Sequence, residues 1–298
     1  MTQTRVLITG ASGLLGRAVY AEFKRNPAWE ALGLAFSRAN EELRRVDLGS
    51  EEEIGRVIQE FKPQVIIHSA AEKRPNVVES QPEAAKRLNV DATAHVCNYA
   101  AKVGAFVIYI STDYVFEGIK PPHKPDDPTN PLNAYGKWKL EGEKAAMLQH
   151  EGNLILRVPI LYGDIESFGE SAITYMFPMV KDSTKEFLVS DYEKRYPTHC
   201  ADVAVVLRQM AEKKLQNDSF DGIFHWSGAE EMTKYDMCLV MADVFNLPKD
   251  HIKPDRTPTT GAVRPYNAHL DSSRLEDLGI GQRRTFKEGA YQVFKPFL

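Results

Sequence analysis

The chain has 298 residues, 43% of them hydrophobic and 26% charged, with a formal net charge of −4. At roughly 150 residues per domain this is two domains or one enlarged α/β domain, and the acidic balance argues against a protein built around nucleic acid or an anionic membrane. The three cysteines, Cys97, Cys200 and Cys238, are far apart and form no Cys-x-x-Cys pair, so buried reduced thiols are expected rather than a disulfide framework or a zinc site.

Met1-Thr2-Gln3-Thr4 runs straight into Val6-Leu7-Ile8 with no basic or apolar leader. No apolar run approaches the ~20 residues of a membrane span, so a cytoplasmic location is expected. The first half then alternates short apolar runs with helical patterns. Strands are predicted at Arg5–Thr9, Ala31–Phe36, Val65–His68, Phe106–Ile110 and Leu154–Val158. Helices are predicted at Leu14–Arg25, at Ser50–Phe61 with Ser50 and Glu53 as a capping box, at Glu83–Val103 ended by Gly104, and at Tyr135–Gln149. Such alternation implies a parallel sheet covered by helices on both faces, with ligands at the carboxyl ends of the strands.

The second half is broken by Pro178, Pro197, Pro248, Pro254, Pro258 and Pro265. A helix at Asp202–Glu212 and a strand at Gly222–Trp226 are expected to return to the main sheet, and Thr233–Phe245 reads as helical. The resulting domain expectation is a dinucleotide-binding unit over residues 1–162, joined by 196–228, with 163–195 and 229–298 as a smaller lobe.

Gly10-Ala11-Ser12-Gly13-Leu14-Leu15-Gly16 follows the first strand and opens a helix. Gly10 suits the tight turn, Gly13 the approach of a pyrophosphate and Gly16 close helix–sheet packing, while the helix N-terminus offers free N–H groups to phosphate. In this context the glycines point to a Rossmann-type, doubly wound α/β fold. The second strand ends Phe36-Ser37-Arg38 with no carboxylate for the ribose hydroxyls of NAD. A hydroxyl and a guanidinium fork suit a 2′-phosphate, which favours NADP(H); the alternative is that Arg38 is a solvated surface residue. Asp47-Leu48 could flank the adenine, and Ser69-Ala70-Ala71 could let the backbone lie against the dinucleotide; both also read as ordinary turn residues. Lys73 and Arg74 could reach phosphate or simply be solvated.

Tyr-x-x-x-Lys occurs three times, as Tyr20/Lys24, Tyr135/Lys139 and Tyr291/Lys295, so the spacing alone decides nothing. Only Tyr135/Lys139 opens the helix that follows a strand ending in Ser111-Thr112. There the phenol and ammonium share a helix face. The cation would favour the phenolate and also grip the nicotinamide ribose, Thr112 would hold a substrate carbonyl, and Tyr135 would donate the proton.

Taken together, Gly10-x-x-Gly13-x-x-Gly16, Ser111-Thr112-Asp113-Tyr114-Val115-Phe116 and Tyr135-Gly136-Lys137-x-Lys139-Leu140-x-Gly142-Glu143 resemble the dTDP-4-dehydrorhamnose reductase branch of extended short-chain dehydrogenases. The regulatory beta subunits of methionine adenosyltransferase are a closer resemblance. It rests on Ala70-Ala71-Glu72-Lys73-Arg74-Pro75, Arg157-Val158-Pro159-Ile160-Leu161-Tyr162-Gly163, Tyr196-Pro197-Thr198-His199, His225-Trp226-Ser227-Gly228, Met232-Thr233-Lys234-Tyr235 and Leu278-Gly279-Ile280-Gly281-Gln282-Arg283. It implies an NADP-binding regulator of S-adenosylmethionine synthesis whose partner is the methionine adenosyltransferase catalytic subunit. It also implies cofactor contacts at Ser12, Gly13, Leu14, Leu15, Phe36, Ser37, Arg38, Asp47, Leu48, Ser69, Lys73, Tyr135 and Leu161. Thr112, Tyr135 and Lys139 would then be vestigial; in the alternative they serve an active NADPH-dependent reductase of a nucleotide-sugar carbonyl. Ser69 stands where the animal proteins have Cys, and Lys73 replaces an Arg. Animal members also continue past the segment resembling Lys295-Pro296-Phe297-Leu298 with a basic, aromatic tail that engages the catalytic subunit, and the sequence departs from them there.

Overall fold

The computed structural model describes residues 3–298. Seven strands form one parallel sheet: β1 Thr4–Thr9, β2 Trp29–Ala35, β3 Leu43–Arg45, β4 Val65–His68, β5 Phe106–Thr112, β6 Leu154–Val158 and β10 Gly222–His225, in the order β10-β6-β5-β4-β1-β2-β3. The runs VLIT, VIIH and FVIYIST are buried on both faces, which is how a central parallel strand reads. The order reverses direction between β1 and β4, the point where an open α/β sheet leaves a crevice at its carboxyl edge.

Helices α1 (Leu14–Lys24) and α8 (Cys200–Gln216) cover one face and pack on each other. The other face holds α2 (Glu51–Phe61), the short α3 (Pro75–Ser80) and α4 (Pro82–Lys86), then α5 (Ala92–Lys102) and α6 (Ala134–Gln149). The smaller lobe pairs β8 (Phe187–Ser190) with β11 (Ile252–Asp255) around α7 (Phe177–Lys181), α9 (Lys234–Val244) and α11 (Phe286–Phe294), with its own apolar core. A two-stranded link, β7 (Leu161–Tyr162) with β9 (Thr198–His199), lies at the junction, and the one-turn α10 (Ser273–Glu276) leans on β10. Among the described residues no helix is long and apolar enough to cross a membrane.

Several local expectations need correction. Ser50 does cap α2, accepting from the Glu53 amide, but the Glu53 carboxylate accepts from Asp47 N at 2.8 Å rather than from Ser50, so the reciprocal half of the box is missing. The helix expected over 83–103 contains a π turn at Arg87–Asp91. There the buried Asn89 amide is committed to the Glu72 backbone, accepting from its N–H at 2.9 Å and donating to its carbonyl at 3.0 Å. Such a demand is what pulls one residue out of α-helical register. β5 runs two residues further than expected, so Ser111 and Thr112 belong to the strand itself. β3 was not anticipated; with three residues and only Leu43 buried, it carries no readable period.

A buried ion pair locks α6 to the sheet. Arg157 of β6 donates Nε and Nη2 to the two oxygens of Glu143 at 2.8 and 2.7 Å, and the Ser111 hydroxyl donates to the same carboxylate. The side chains are 2% and 4% exposed, and Arg157 Nη1 donates to Pro125 O at 3.1 Å. Removing one partner leaves the other charge buried alone, at a cost of about 3–5 kcal/mol. Arg157→Met should therefore lower the urea-unfolding free energy by about that amount, while Arg157→Met combined with Glu143→Leu should lose less than either single change. Additive losses in the double variant would show that the pair is not acting as a unit.

Candidate functional site

The loop after β1 is shaped by contacts that only glycine permits. Gly10 has φ +66°, and a Cβ there would lie 2.9 Å from the Ala70 backbone, so the loops after β1 and β4 touch at the switch point. A Cβ on Gly16 would sit 2.0 Å from the Gly10 carbonyl. Gly13 differs: its φ is an ordinary −79°, and a Cβ would meet only the Gly10 oxygen, at 3.1 Å. The constraint there is milder than at Gly10 and Gly16: a Cβ would press on one backbone oxygen only. Gly13 caps α1 without any side-chain hydrogen bond, so the first N–H groups of α1 remain available to an anion. Leu14 and Leu15 are buried beneath this turn.

The remaining expected contact residues gather along the same edge. Phe36 follows β2, is 51% exposed and has the Arg45 guanidinium 5.1 Å from its ring centre. Ser37 is exposed beside it. Arg38 is not merely solvated: its Nη1 donates to Glu166 at 2.7 Å and Glu170 at 2.6 Å. Asp47 is half-buried and accepts from Gly49 N, with Leu48 buried next to it. Ser69 donates to Thr9 O at 2.7 Å and the Ala70 amide to Thr9 Oγ1 at 3.3 Å. Lys73 donates to Glu170 O at 2.6 Å, and Leu161 lies in β7, half-buried. Ser12 offers its carbonyl to Arg17 Nη1 at 2.8 Å. Residues from the ends of β1, β2 and β4 and from β7 thus gather around the crevice at the switch point.

Asn133 starts α6 by accepting from Gly136 N at 2.9 Å, which presents Tyr135 in the first turn and Lys139 one turn on. Tyr135 meets Tyr114 edge-on with ring centres 5.8 Å apart. Thr112 Oγ1 donates to Asp113 Oδ1 at 3.0 Å and accepts from Tyr114 N at 3.2 Å. The expectation that Lys139 draws the phenol toward phenolate is not met. Burial pushes the Tyr135 phenol above its ordinary range, partly offset by the Thr112 hydroxyl. The Lys139 ammonium instead lies 4.0 Å from the centre of the Tyr109 ring. At 3% exposure it is itself pushed down to about 7 by burial, against the pull of Glu143. His68 is no acid or base here: burial holds it down to about 3, between the Thr9 and Thr93 hydroxyls.

Sequence reasoning missed the wall opposite Tyr135. Asp113 is buried, and that burial pushes its carboxyl up to about 6, against the pull of Arg195. Arg195 is 3% exposed, donates Nη1 to two backbone carbonyls, and has no partner for Nη2 among the described residues. Arg195 acts electrostatically on both Asp113 and Tyr114, Arg264 acts on Tyr114, and both arginines act on Lys234, so cations from the second half cluster beside Asp113 and Tyr114. No spacing links residues 195, 234 and 264; only packing of the smaller lobe against β5 brings them together. Arg17, Glu166 and Glu170 were also missed, and they had no motif to announce them.

A family model described as the RmlD substrate binding domain matches residues 4–298. Methionine adenosyltransferase 2 subunit beta of Bos taurus is 52% identical over 295 residues, covering 99% of this chain and 88% of the relative. A solved dTDP-4-dehydrorhamnose reductase from Clostridium acetobutylicum has TM-score 0.85 at 27% identity, covering 98% of this chain and 99% of its own. Another, from Bacillus anthracis and in complex with NADP, has TM-score 0.85 at 25% identity, covering 99% of each chain. The sheet order, the glycine loop and these matches define an RmlD-like extended short-chain dehydrogenase/reductase. Within that class the chain belongs to the family of methionine adenosyltransferase 2 beta subunits.

The position of Lys139 has a measurable consequence. Its ammonium titrates near 7 in the folded chain and at an ordinary 10.5 when exposed. Between those values the unfolded chain binds more protons, so this residue makes stability rise with pH across that window, and its penalty on the fold is largest below about 7. Lys139→Met in the cofactor-free protein should therefore be stabilising on the acidic side of that window, with its advantage shrinking as pH rises through it. A Tm difference that is flat with pH would contradict the assignment.

Proposed function

We propose that this protein is an NADP(H)-binding regulatory beta subunit that modulates S-adenosylmethionine synthesis by a methionine adenosyltransferase catalytic subunit, in the cytoplasm. The observation that carries the regulatory reading is the 52% identity running through both lobes to a protein named as that subunit.

The groove suits a nicotinamide dinucleotide on its own geometry. The N-terminus of α1, capped by Gly13 with no side chain across its free N–H groups, fits a pyrophosphate. Gly10, Ser12, Gly13, Leu14, Leu15, Gly16, Ser69 and Ala70 would hold that part, with Lys73 as a cation beside it. Phe36, Asp47 and Leu48 would flank the adenine. Ser37 and Arg38 would take a 2′-phosphate, and Leu161, Tyr135 and Lys139 the nicotinamide end. The end of β2 carries no carboxylate to prefer a free ribose, which supports NADP(H) over NAD(H). When bound, the dinucleotide supplies a hydride donor or acceptor; the chain's own part is to hold a proton at the Tyr135 phenol beside Thr112.

A second reading, reduction of a nucleotide-sugar carbonyl, is favoured by one observation. Tyr114, whose ring meets Tyr135 edge-on, lies in the field of Arg195 and Arg264, and the buried Arg195 Nη2 has no partner among the described residues, as an anionic substrate would require.

Two experiments test these readings. In calorimetry the unaltered protein should prefer NADPH to NADH, and Arg38→Asp should weaken NADPH about tenfold to a hundredfold, the worth of charge-assisted hydrogen bonds to one phosphate. Equal affinity for both cofactors in the unaltered protein would remove the basis for NADP(H). Separately, adding the protein to the host's methionine adenosyltransferase should change its activity or product inhibition, and Tyr135→Phe with cofactor still bound should preserve the effect, because no proton transfer is involved. Rapid NADPH oxidation on a keto-sugar nucleotide, abolished by Tyr135→Phe and unaccompanied by any effect on methionine adenosyltransferase, would instead establish the reductase.

A further inference from the structure

The segment Asp164–Glu170 leaves β7 and crosses the mouth of the glycine loop, where three cations from one helix and two loops converge on it. Arg17 lies in α1, Arg38 follows β2 and Lys73 follows β4. Arg17 donates to both Glu170 oxygens at 2.9 and 2.6 Å, and to the Asp164 carbonyl at 3.0 Å. Arg38 Nη1 is shared between Glu170 at 2.6 Å and Glu166 at 2.7 Å, and Lys73 donates to the Glu170 carbonyl at 2.6 Å. Glu166 N closes the turn onto Glu170 Oε2 at 3.0 Å. The Glu170 side chain is 9% exposed. Burial alone would raise its carboxyl, yet the hydrogen bonds from Arg17 and Arg38 hold it down to about 2, so it stays anionic.

These cations stand at the carboxyl ends of β1, β2 and β4, where a dinucleotide's phosphates would lie. Forked guanidinium contacts to a carboxylate have the same geometry as those to a phosphate, and one set of N–H groups cannot serve both fully. We propose that Glu166 and Glu170 form a displaceable strap, whose carboxylates occupy the phosphate-facing Arg17 and Arg38 and whose Glu170 carbonyl occupies Lys73, and which yields these cations when the dinucleotide enters. The strap rests on the NADP(H) reading above. It is tied to the smaller lobe: Phe168 packs on Phe297 with ring centres 4.9 Å apart, and the Ser171 hydroxyl donates to Leu161 O at 2.7 Å. Nucleotide entry is thereby coupled to the position of Phe168 and the segment it touches.

The test is NADPH and NADH binding by calorimetry to the full chain, to Glu166→Gln/Glu170→Gln and to Glu42→Gln, which removes a nearby charge outside the strap. The double variant should bind NADPH about tenfold more tightly, the worth of one released charge-assisted contact. The gain should be smaller for NADH, which has no 2′-phosphate to claim Arg38, and Glu42→Gln should change neither. Hydrogen exchange over residues 164–172 should speed up when the unaltered protein is saturated with NADPH. If the double variant does not fold, Glu166→Gln alone, which touches only Arg17 and Arg38 and is exposed, should still give a smaller gain for NADPH. Unchanged affinity in these variants would reduce the strap to a structural contact. Weaker binding with slower exchange would show that it closes on the cofactor instead; either result overturns the proposal while cofactor binding by the unaltered protein stands. Failure of every form to bind a nicotinamide dinucleotide would remove the NADP(H) reading itself, and the strap with it.

Discussion

The Glu143–Arg157 pair is the constraint on which the geometry of the groove depends. Two opposite charges are held at 2% and 4% exposure, and each is satisfied by more than its partner. A buried pair of this kind adds little net stability over an apolar replacement, but it tolerates almost no misalignment. Its positional demand is therefore its main effect. Glu143 lies on the same helix as Tyr135 and Lys139, so fixing Glu143 against β6 fixes the rotation of α6 about its axis. Ser111 brings β5 into the same contact, which sets Thr112 relative to Tyr135. On the far side Arg157 Nη1 lies 3.4 Å from His225 Nε2 in β10. One ion pair thus registers helix, two strands and the returning strand together.

A second constraint is steric and sits at the switch point. The approaches at Gly10 and Gly16 leave no room for a side chain, so the loops after β1 and β4 and the start of α1 form one close-packed unit. The cations that face the groove come from this unit and from the end of β2, and they hold to a segment of the smaller lobe through Glu166 and Glu170. The two lobes are joined again by Arg284, whose guanidinium donates to the Asp202 carboxylate of α8 at 2.7 Å. Tyr162 reinforces that junction. Its hydroxyl packs so tightly on α11 that a Cβ at Gly289 would come within 2.1 Å of it.

The family resemblance and the motif positions led to the fold class, and most elements of the first half fall within two residues of where hydrophobic patterning placed them. The cause is local: VLIT, VIIH and LILRV are dense enough in β-branched and apolar residues to exclude other readings. The second half was legible only in part. Thr285 and Glu288 form a complete capping box at α11, a signal present in Thr-x-x-Glu that was passed over. The electrostatic role given to Lys139 failed for a different reason. Helical spacing places it on the Tyr135 face, but it cannot say that burial would hold the ammonium over Tyr109 instead.

Local sequence by itself determined the βα alternation, the glycine turn, the absence of a carboxylate after β2 and the helix bearing Tyr135 and Lys139, because each of these rests on residues within a few positions of one another. Tertiary structure alone decided what lies opposite them. Arg195 and Arg264 meet Asp113 and Tyr114, and Arg17, Arg38 and Lys73 meet Glu166 and Glu170, across separations of up to 153 residues. Pairings of that kind leave no periodicity in the chain. They are set by where the smaller lobe docks on the sheet, and that docking is the sum of many weak apolar contacts with no motif of their own.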